Sequence, residues 1–345
     1  LSPAGNLEKL KIAIKYGADA VYAGVSHFSL RIRAGKEFTF ETFKEGIDYA
    51  HARGKKVYAT INGFPFNSQI ELLKKHIATM AALEPDGFIV AAPGVVKLCR
   101  EIAPQIDIHL STQANVLNYL DAQVFWDMGV KRIVVAREIS LKDVIEIKKH
   151  LPDMEIEIFV HGSMCFAYSG RCLVSAVQMG RVPNRGSCAN DCRFEYTLYA
   201  ANEDHSTLFR LEEEPGVGTY IFNSKDMNLA SHIKEILDSG AVDSLKIEGR
   251  TKSPYYAAVT AKAYRNAIDD YYDGKFEASK YQRELYTTKN RGFTDAYLIH
   301  RPFEKTDSQN HDYALSKGSY EVTGLVTEDE EHFLCKYKVY PNEDI

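Results

Sequence analysis

Apolar positions fall into two alternating patterns along the first 250 residues. One has helical spacing. Leu7, Leu10 and Ile14 form a stripe; Phe40, Phe43, Ile47 and Ala50 form another, with Thr39 placed to cap it. The other is a short unbroken apolar run, as expected of a strand buried on both faces. The two recur in a fixed order: a helical stretch ends in glycine, polar residues follow, and a β-branched run begins. Examples are Gly17-Ala-Asp-Ala-Val, Gly54-Lys-Lys-Val, Gly129-Val-Lys-Arg-Ile and Gly240-Ala-Val-Asp-Ser-Leu. Glycine suits the left-handed position that closes a helix. Strands are predicted at 20–24, 56–61, 87–92, 107–112, 132–137, 155–161 and 245–249, with a truncated strand ending at Leu1-Ser2.

Eight strands alternating with helices imply a parallel α/β sheet, and eight units over 1–275 fit a TIM-like (β/α)8 barrel. An open doubly wound sheet is the alternative. The alternation breaks once, between the seventh strand, ending at His161, and the eighth, beginning at Leu245. Structureless stretches beyond about 12–15 residues are uncommon and usually functional. The chain therefore divides into a barrel, 1–275, that includes a cysteine-rich insert, 163–242; a helical and loop extension, 276–318; and the start of a small truncated β domain, 319–345. Within the insert, Asn202–Pro215 reads as an acidic, solvated stretch and Tyr220–Asp226 as a short strand. Pro254–Gly274 reads as a long helix with Tyr255, Ala258 and Ala261 on one side. In the tail, YEVTGLVTE and HFLCKYKVY alternate as short strands do.

Composition adds limits. A chain of 345 residues buries about 75% of its unfolded surface. With 45% apolar and 26% charged residues it has the make-up of a soluble protein, and a net charge of −5 announces no global basic surface. There is no run of about 18 apolar residues to span a membrane, and the start resembles neither a signal nor a transit peptide. A cytoplasmic, reducing location is expected, where clustered cysteines bind metal or catalyse rather than pair.

Four of the six cysteines, Cys165, Cys172, Cys188 and Cys192, lie in the insert with spacing C-x6-C-x15-C-x3-C. Structural zinc favours short knuckles, and only the last pair has one. Four thiolates on a long loop also suit an iron–sulfur cluster. A catalytic thiol needs a base, and His161 is close to Cys165 in sequence. Inert burial is the remaining reading, and a cluster or metal is preferred. Cys99 and Cys335 read as core thiols. From Ser163 to Leu198, four arginines (Arg171, Arg181, Arg185 and Arg193) stand against Asp191 and Glu195. Such arginines balance an anionic cluster or contact phosphates. Barrel sites lie at the C-terminal strand ends. Here these ends carry Asn62, Ser111, Thr112, Gln113, Asn115, Arg137, Glu138, His161, Lys246, Glu248 and Arg250, without a hydrolytic or P-loop motif. The set is suited to a polar, anionic ligand.

One run is specific: Glu157, Phe159, Gly162-Ser163-Met164-Cys165, then Cys172, Val174 and Ser175. It resembles the signature of the collagenase-like peptidase family U32. LSPAGNLEKL, GADAVYAG, YAHARGKKVYATIN, HLSTQANV, VKRIVVAREIS, NRGSCANDCR, NSKDMNL and LKIEGRTKSPYY extend the resemblance through the chain. It implies either a peptidase of unassigned catalytic type or an oxygen-independent hydroxylation protein acting on tRNA wobble uridine, on an rRNA cytidine or on a ubiquinone precursor. The layout is most similar to the tRNA-hydroxylating members. The resemblance implies a 4Fe-4S cluster on the four insert cysteines, with zinc as a substitute in aerobic protein, and prephenate or a similar dicarboxylate as hydroxyl source. Among the strand-end residues, Arg137, His161, Glu248 and Arg250 are catalytic candidates. Arg33, Asn62, Gln113, Asn115, Lys225 and Lys246 are substrate-binding candidates. Tyr22, Phe166 and Tyr168 are candidates to stack a uridine splayed from a tRNA loop. A non-catalytic RNA- or cluster-binding module is a third reading.

Overall fold

The computed structural model describes residues 1–25, 28–30, 38–201, 207–211, 222–299, 301, 305–310, 315–316, 318, 320, 324–326 and 332–335. Seven parallel strands come first: β1 (Ser2–Pro3), β2 (Ala20–Ala23), β3 (Lys56–Ile61), β4 (Gly87–Val90), β5 (Asp107–Leu110), β6 (Arg132–Val134) and β7 (Glu155–Ser163). Between them run α1 (Leu7–Lys15), α2 (Phe40–His51), α3 (Ile70–Ala81), α4 (Pro93–Ile102), α5 (Tyr119–Asp127) and α6 (Leu141–His150). The insert holds α7 (Val174–Met179), an antiparallel hairpin of β8 (Leu198–Ala201) and β9 (Leu208–Leu211), and β10 (Asp226–Asn228). Then follow α8 (Ile233–Asp238), β11 (Ser244–Ile247), α9 (Pro254–Tyr272), α10 (Ala278–Leu285), β12 (Phe293–Thr294), α11 (Lys305–Ser308) and the antiparallel pair β13 (Gly324–Val326) and β14 (Phe333–Cys335).

The eighth barrel strand is β11, parallel to β7. It closes the ring through Leu1, whose backbone N donates to Leu245 O at 2.8 Å and whose carbonyl accepts from Ile247 N at 3.0 Å. The barrel is therefore a ring and not an open sheet. The four helix-closing glycines, Gly17, Gly54, Gly129 and Gly240, all have positive φ. Thr39 caps α2: its hydroxyl accepts from Thr42 N, while Thr42 Oγ1 accepts from Thr39 N. Helix stripes and outward strand faces form one apolar layer, in which Leu10, Phe43, Ile47, Val57 and Ile133 are fully buried. Among the described residues no helix is long and apolar enough to cross a membrane.

Some elements depart from the sequence pattern. Of the short strand predicted at Tyr220–Asp226, 220–221 lie outside the described residues; β10 begins at Asp226, pairing antiparallel with the end of β7 and parallel with β12. A buried Arg291–Asp226 ion pair ties these outer strands together. Of the stretch expected to be solvated, 208–211 forms β9 and most of the remainder lies outside the described residues. Helix α9 occupies most of the predicted Pro254–Gly274 and buries Tyr256, Thr260, Ala261 and Tyr264. Two phenols draw that face inward: Tyr256 Oη donates to Glu248 O and Tyr264 Oη to Val160 O, both at 2.7 Å. Cys99 is buried as expected, which pushes its thiol up to about 12. Cys335 is exposed and not a core thiol, because β14 pairs with β13 alone among the described strands.

The inside of the barrel is polar. Glu157, fully buried on β7, receives Lys246 Nζ at 2.8 Å, Ser244 Oγ at 2.7 Å and Arg132 Nη1 at 3.4 Å. Burial alone raises a carboxyl pKa; here the two cations more than reverse it, from 4.5 to about 2. His109 and His161 are held near 3 rather than 6.5, chiefly by burial. Glu157→Gln takes the carboxylate from buried Lys246, while Arg132 keeps Glu155, and is expected to cost about 3–5 kcal/mol in chemical denaturation. Acid sensitivity follows from the same groups. Both imidazoles stay neutral in the fold, so the unfolded chain binds more protons and stability falls as pH drops from 6.5 toward 3. The Glu157 contribution, present above 4.5, is lost between there and about 2. His161→Gln is expected to flatten the stability slope by about 1.4 kcal/mol per pH unit between about pH 6 and 4.

Candidate functional site

The C-terminal strand ends open onto a cavity of about 160 Å³. The loops following β3, β5, β6, β7 and β11 form its walls, and the cysteine-bearing insert covers it. The insert is tied to the barrel at several points. Ser169 N donates to Glu138 Oε1 at 2.9 Å, and Phe64 N donates to Asn184 O at 3.3 Å. The Arg185 guanidinium lies 3.8 Å from the Phe66 ring centroid and donates to Gln69 Oε1 at 2.9 Å. Gly170, at φ +76°, passes so close to β5's end that a Cβ there would meet Gln113 O at 2.3 Å. Only glycine fits this crossing.

All four insert cysteines line this cavity, and none is bridged. Burial pushes the Cys172 and Cys192 thiols up, and Cys165 and Cys188 add to both, so the sulfurs lie within electrostatic reach of one another. Between Cys188 and Cys192 in the chain, Asp191 is fully buried, and neither carboxylate oxygen has a hydrogen-bond partner among the described residues. Opposite lies Arg137. Its guanidinium sits 4.0 Å from the Phe159 ring centroid, 3.5 Å from Glu248 Oε2 and 3.9 Å from Cys165 Sγ. Arg250 also lines the cavity, and its Nη1 donates to Ser29 Oγ at 2.9 Å and Thr60 Oγ1 at 3.2 Å. Lys246 reaches the floor, 4.5 Å from the Tyr22 ring centroid, with its charge met by Glu157. Asn62 accepts from Leu30 N at 3.1 Å. Gln113 accepts from Ser111 Oγ at 3.1 Å, and its buried Nε2 has no hydrogen-bond partner among the described residues. The chemistry on offer is a set of soft sulfur donors facing forked cations and amides, an arrangement suited to an anion beside a metal or cluster.

Not every candidate converges here. His161 does not line the cavity. Its ring is buried among Tyr256, Tyr264 and Phe293, with Nδ1 3.4 Å from Tyr264 Oη. Strand alternation alone would align it with Glu157 and Phe159. Lys246 opposes Phe159 and Ile247 opposes His161, so a bulge at Val160 turns the histidine outward. Lys225 and Asn115 also fall outside the lining; Asn115 is left-handed at φ 60°, with its buried Oδ1 unpaired. Arg33 lies outside the described residues. Sequence reading missed Phe159, Asn184 and Asn190 as lining residues and Ser29 and Thr60 as holders of Arg250. Phe159 was legible in principle, as the inward residue two places after Glu157.

Comparison with known proteins bears on this site. The family model for Peptidase family U32 matches residues 5–308. A tRNA hydroxylation protein P of Helicobacter pylori is 69% identical over 342 residues, covering 99% of this chain and 81% of that protein. Its Escherichia coli namesake is 40% identical over 353 residues, covering 92% and 77%. A collagenase of Porphyromonas gingivalis is 30% identical over 312 residues, covering 87% and 73%. With the signature cysteines gathered over one cavity and the match spanning nearly the whole barrel, the chain belongs to peptidase family U32.

Proposed function

We propose that this protein is a tRNA-modifying enzyme that hydroxylates a wobble uridine, taking the hydroxyl from prephenate or a similar dicarboxylate and holding a 4Fe-4S cluster on Cys165, Cys172, Cys188 and Cys192. The observation that carries the reading is the meeting of four unbridged thiols with Arg137, Arg250 and Gln113 around one cavity. The names of the Helicobacter and Escherichia relatives support tRNA hydroxylation.

The donor set fits such a group. Among the described residues no group of three Cys, His, Asp or Glu is arranged to hold a metal ion as the side chains stand. Four cysteines lining one cavity supply the ligand type and number of an iron–sulfur cluster. When bound, a cluster of this kind supplies one-electron chemistry or Lewis acidity beside the substrate. The protein's own part is positional. Arg137, steadied by Phe159 and Glu248, presents a forked guanidinium to a carboxylate. The Gln113 amide supplies a neutral donor, and Arg250 carries the second positive end. The insert covering the cavity limits water. A cysteine peptidase reading lacks its base, since Cys165 faces Arg137 while His161 turns away.

Mass spectrometry of tRNA nucleosides is the direct test. In a deletion strain, 5-hydroxyuridine derivatives should disappear and return with the wild-type chain but not with Cys188→Ala; unchanged nucleosides would overturn the proposal. Anaerobically purified protein should contain iron and sulfide, both sharply reduced by Cys188→Ala. Arg137→Gln should keep its iron but weaken dicarboxylate binding about 10- to 100-fold, the loss of a charge-assisted bond of about 1.5–3 kcal/mol.

A further inference from the structure

We propose that Phe166 and Tyr168 form a stacking rim for one unpaired RNA base at the cavity mouth, with Arg171 and Arg193 beside it for the phosphates and the inner cavity kept for the small anion. The inference rests on the RNA reading above and assigns the place where the RNA sits.

Four observations meet in the turn after Cys165. Both rings line the cavity, yet Phe166 is 47% and Tyr168 63% exposed. The Phe166 ring is packed, and the Tyr168 backbone is fixed. Phe166 packs edge-on against Phe222 at 4.7 Å between centroids, and Phe222 packs edge-on against Tyr196 at 5.6 Å. The Tyr196 hydroxyl in turn donates to Asp191 O at 2.9 Å. The backbone under Tyr168 is pinned by Ser169 N on Glu138 and by the tight crossing of Gly170 over Gln113. A packed ring at Phe166 and an exposed ring on fixed backbone at Tyr168 offer two faces to an unstacked base.

Charge and exposure separate the two ligands. The cationic depth, with Arg137, Arg250 and Lys246, belongs to the anion. The base is left the aromatic mouth. Charge agrees with this division: Arg171 is exposed, and Arg193 lines the cavity near Cys192. Tyr22 is excluded from stacking, being buried with its hydroxyl on Ile247 O at 3.0 Å and Lys246 over its ring.

The test uses the anaerobically purified, iron-loaded full chain. Binding is measured for an RNA hairpin with a uridine-containing single-stranded loop, for the same sequence fully paired, and for the dicarboxylate alone. Phe166→Ala and Tyr168→Ala should each weaken hairpin binding about 5- to 100-fold. Tyr168→Phe should stay within about twofold of wild type. Tyr168→Leu keeps apolar bulk without a π face and should behave like the alanine variant. Dicarboxylate affinity and iron content should not change. A fluorescent base analogue in the loop should be quenched by wild type and not by Tyr168→Leu. Hairpin affinity unchanged in both alanine variants, or equal affinity for hairpin and duplex, would overturn the rim while leaving the RNA reading standing. If the wild-type chain binds neither RNA, the functional reading itself fails.

Discussion

A single buried carboxylate sets the geometry on which the rest of the structure depends. Glu157 stands at the centre of the barrel and draws Arg132 from β6 and both Lys246 and Ser244 from β11 toward β7. Charges so far from water persist only with partners in place. Their pairing locks the register of the sixth, seventh and eighth strands. That register places the bulge at Val160, the inward-facing Glu248 and the outward-facing His161. It also brings Glu248 within 3.5 Å of Arg137. The electrostatic knot below the cavity is thus what aims the groups inside it.

Above the cavity the physics changes. The cysteine-bearing part of the insert, 165–201, buries no apolar side chain fully and leaves Leu173, Val177 and Met179 exposed. It is held by a few backbone and side-chain bonds to Glu138, Gln69 and Phe64, and by one glycine crossing. A cover attached in this way leaves its thiols dependent on what they bind. The orphaned Asp191 carboxylate and the mutual effect of the cysteines on their acidity mark the same place as electrostatically incomplete.

Legibility in the sequence tracked the range of the interactions involved. Helix stripes, the Thr39 cap and the closing glycines are local, so they were visible directly, and the (β/α)8 alternation followed from them. The cysteine spacing was equally plain, and the structure gathers all four thiols on one cavity. Fold position also brought Arg137, Arg250, Lys246, Glu248, Gln113 and Asn62 to the lining. It failed for His161 because one extra residue in a strand reverses the side of everything after it. Cys335 was misplaced because alternation in a strand says nothing of what covers the strand.

By itself the sequence determined the order of strands and helices, the break after the seventh strand and the family to which its motifs belong, since each is written in residues adjacent in the chain. Tertiary structure alone decided which chemistry shares a cavity. Arg137 meets Cys165 across 28 positions, Arg185 meets Gln69 across 116, and Arg250 meets Ser29 across 221. Such contacts follow from barrel closure, strand register and a single bulge, and no local pattern encodes their sum.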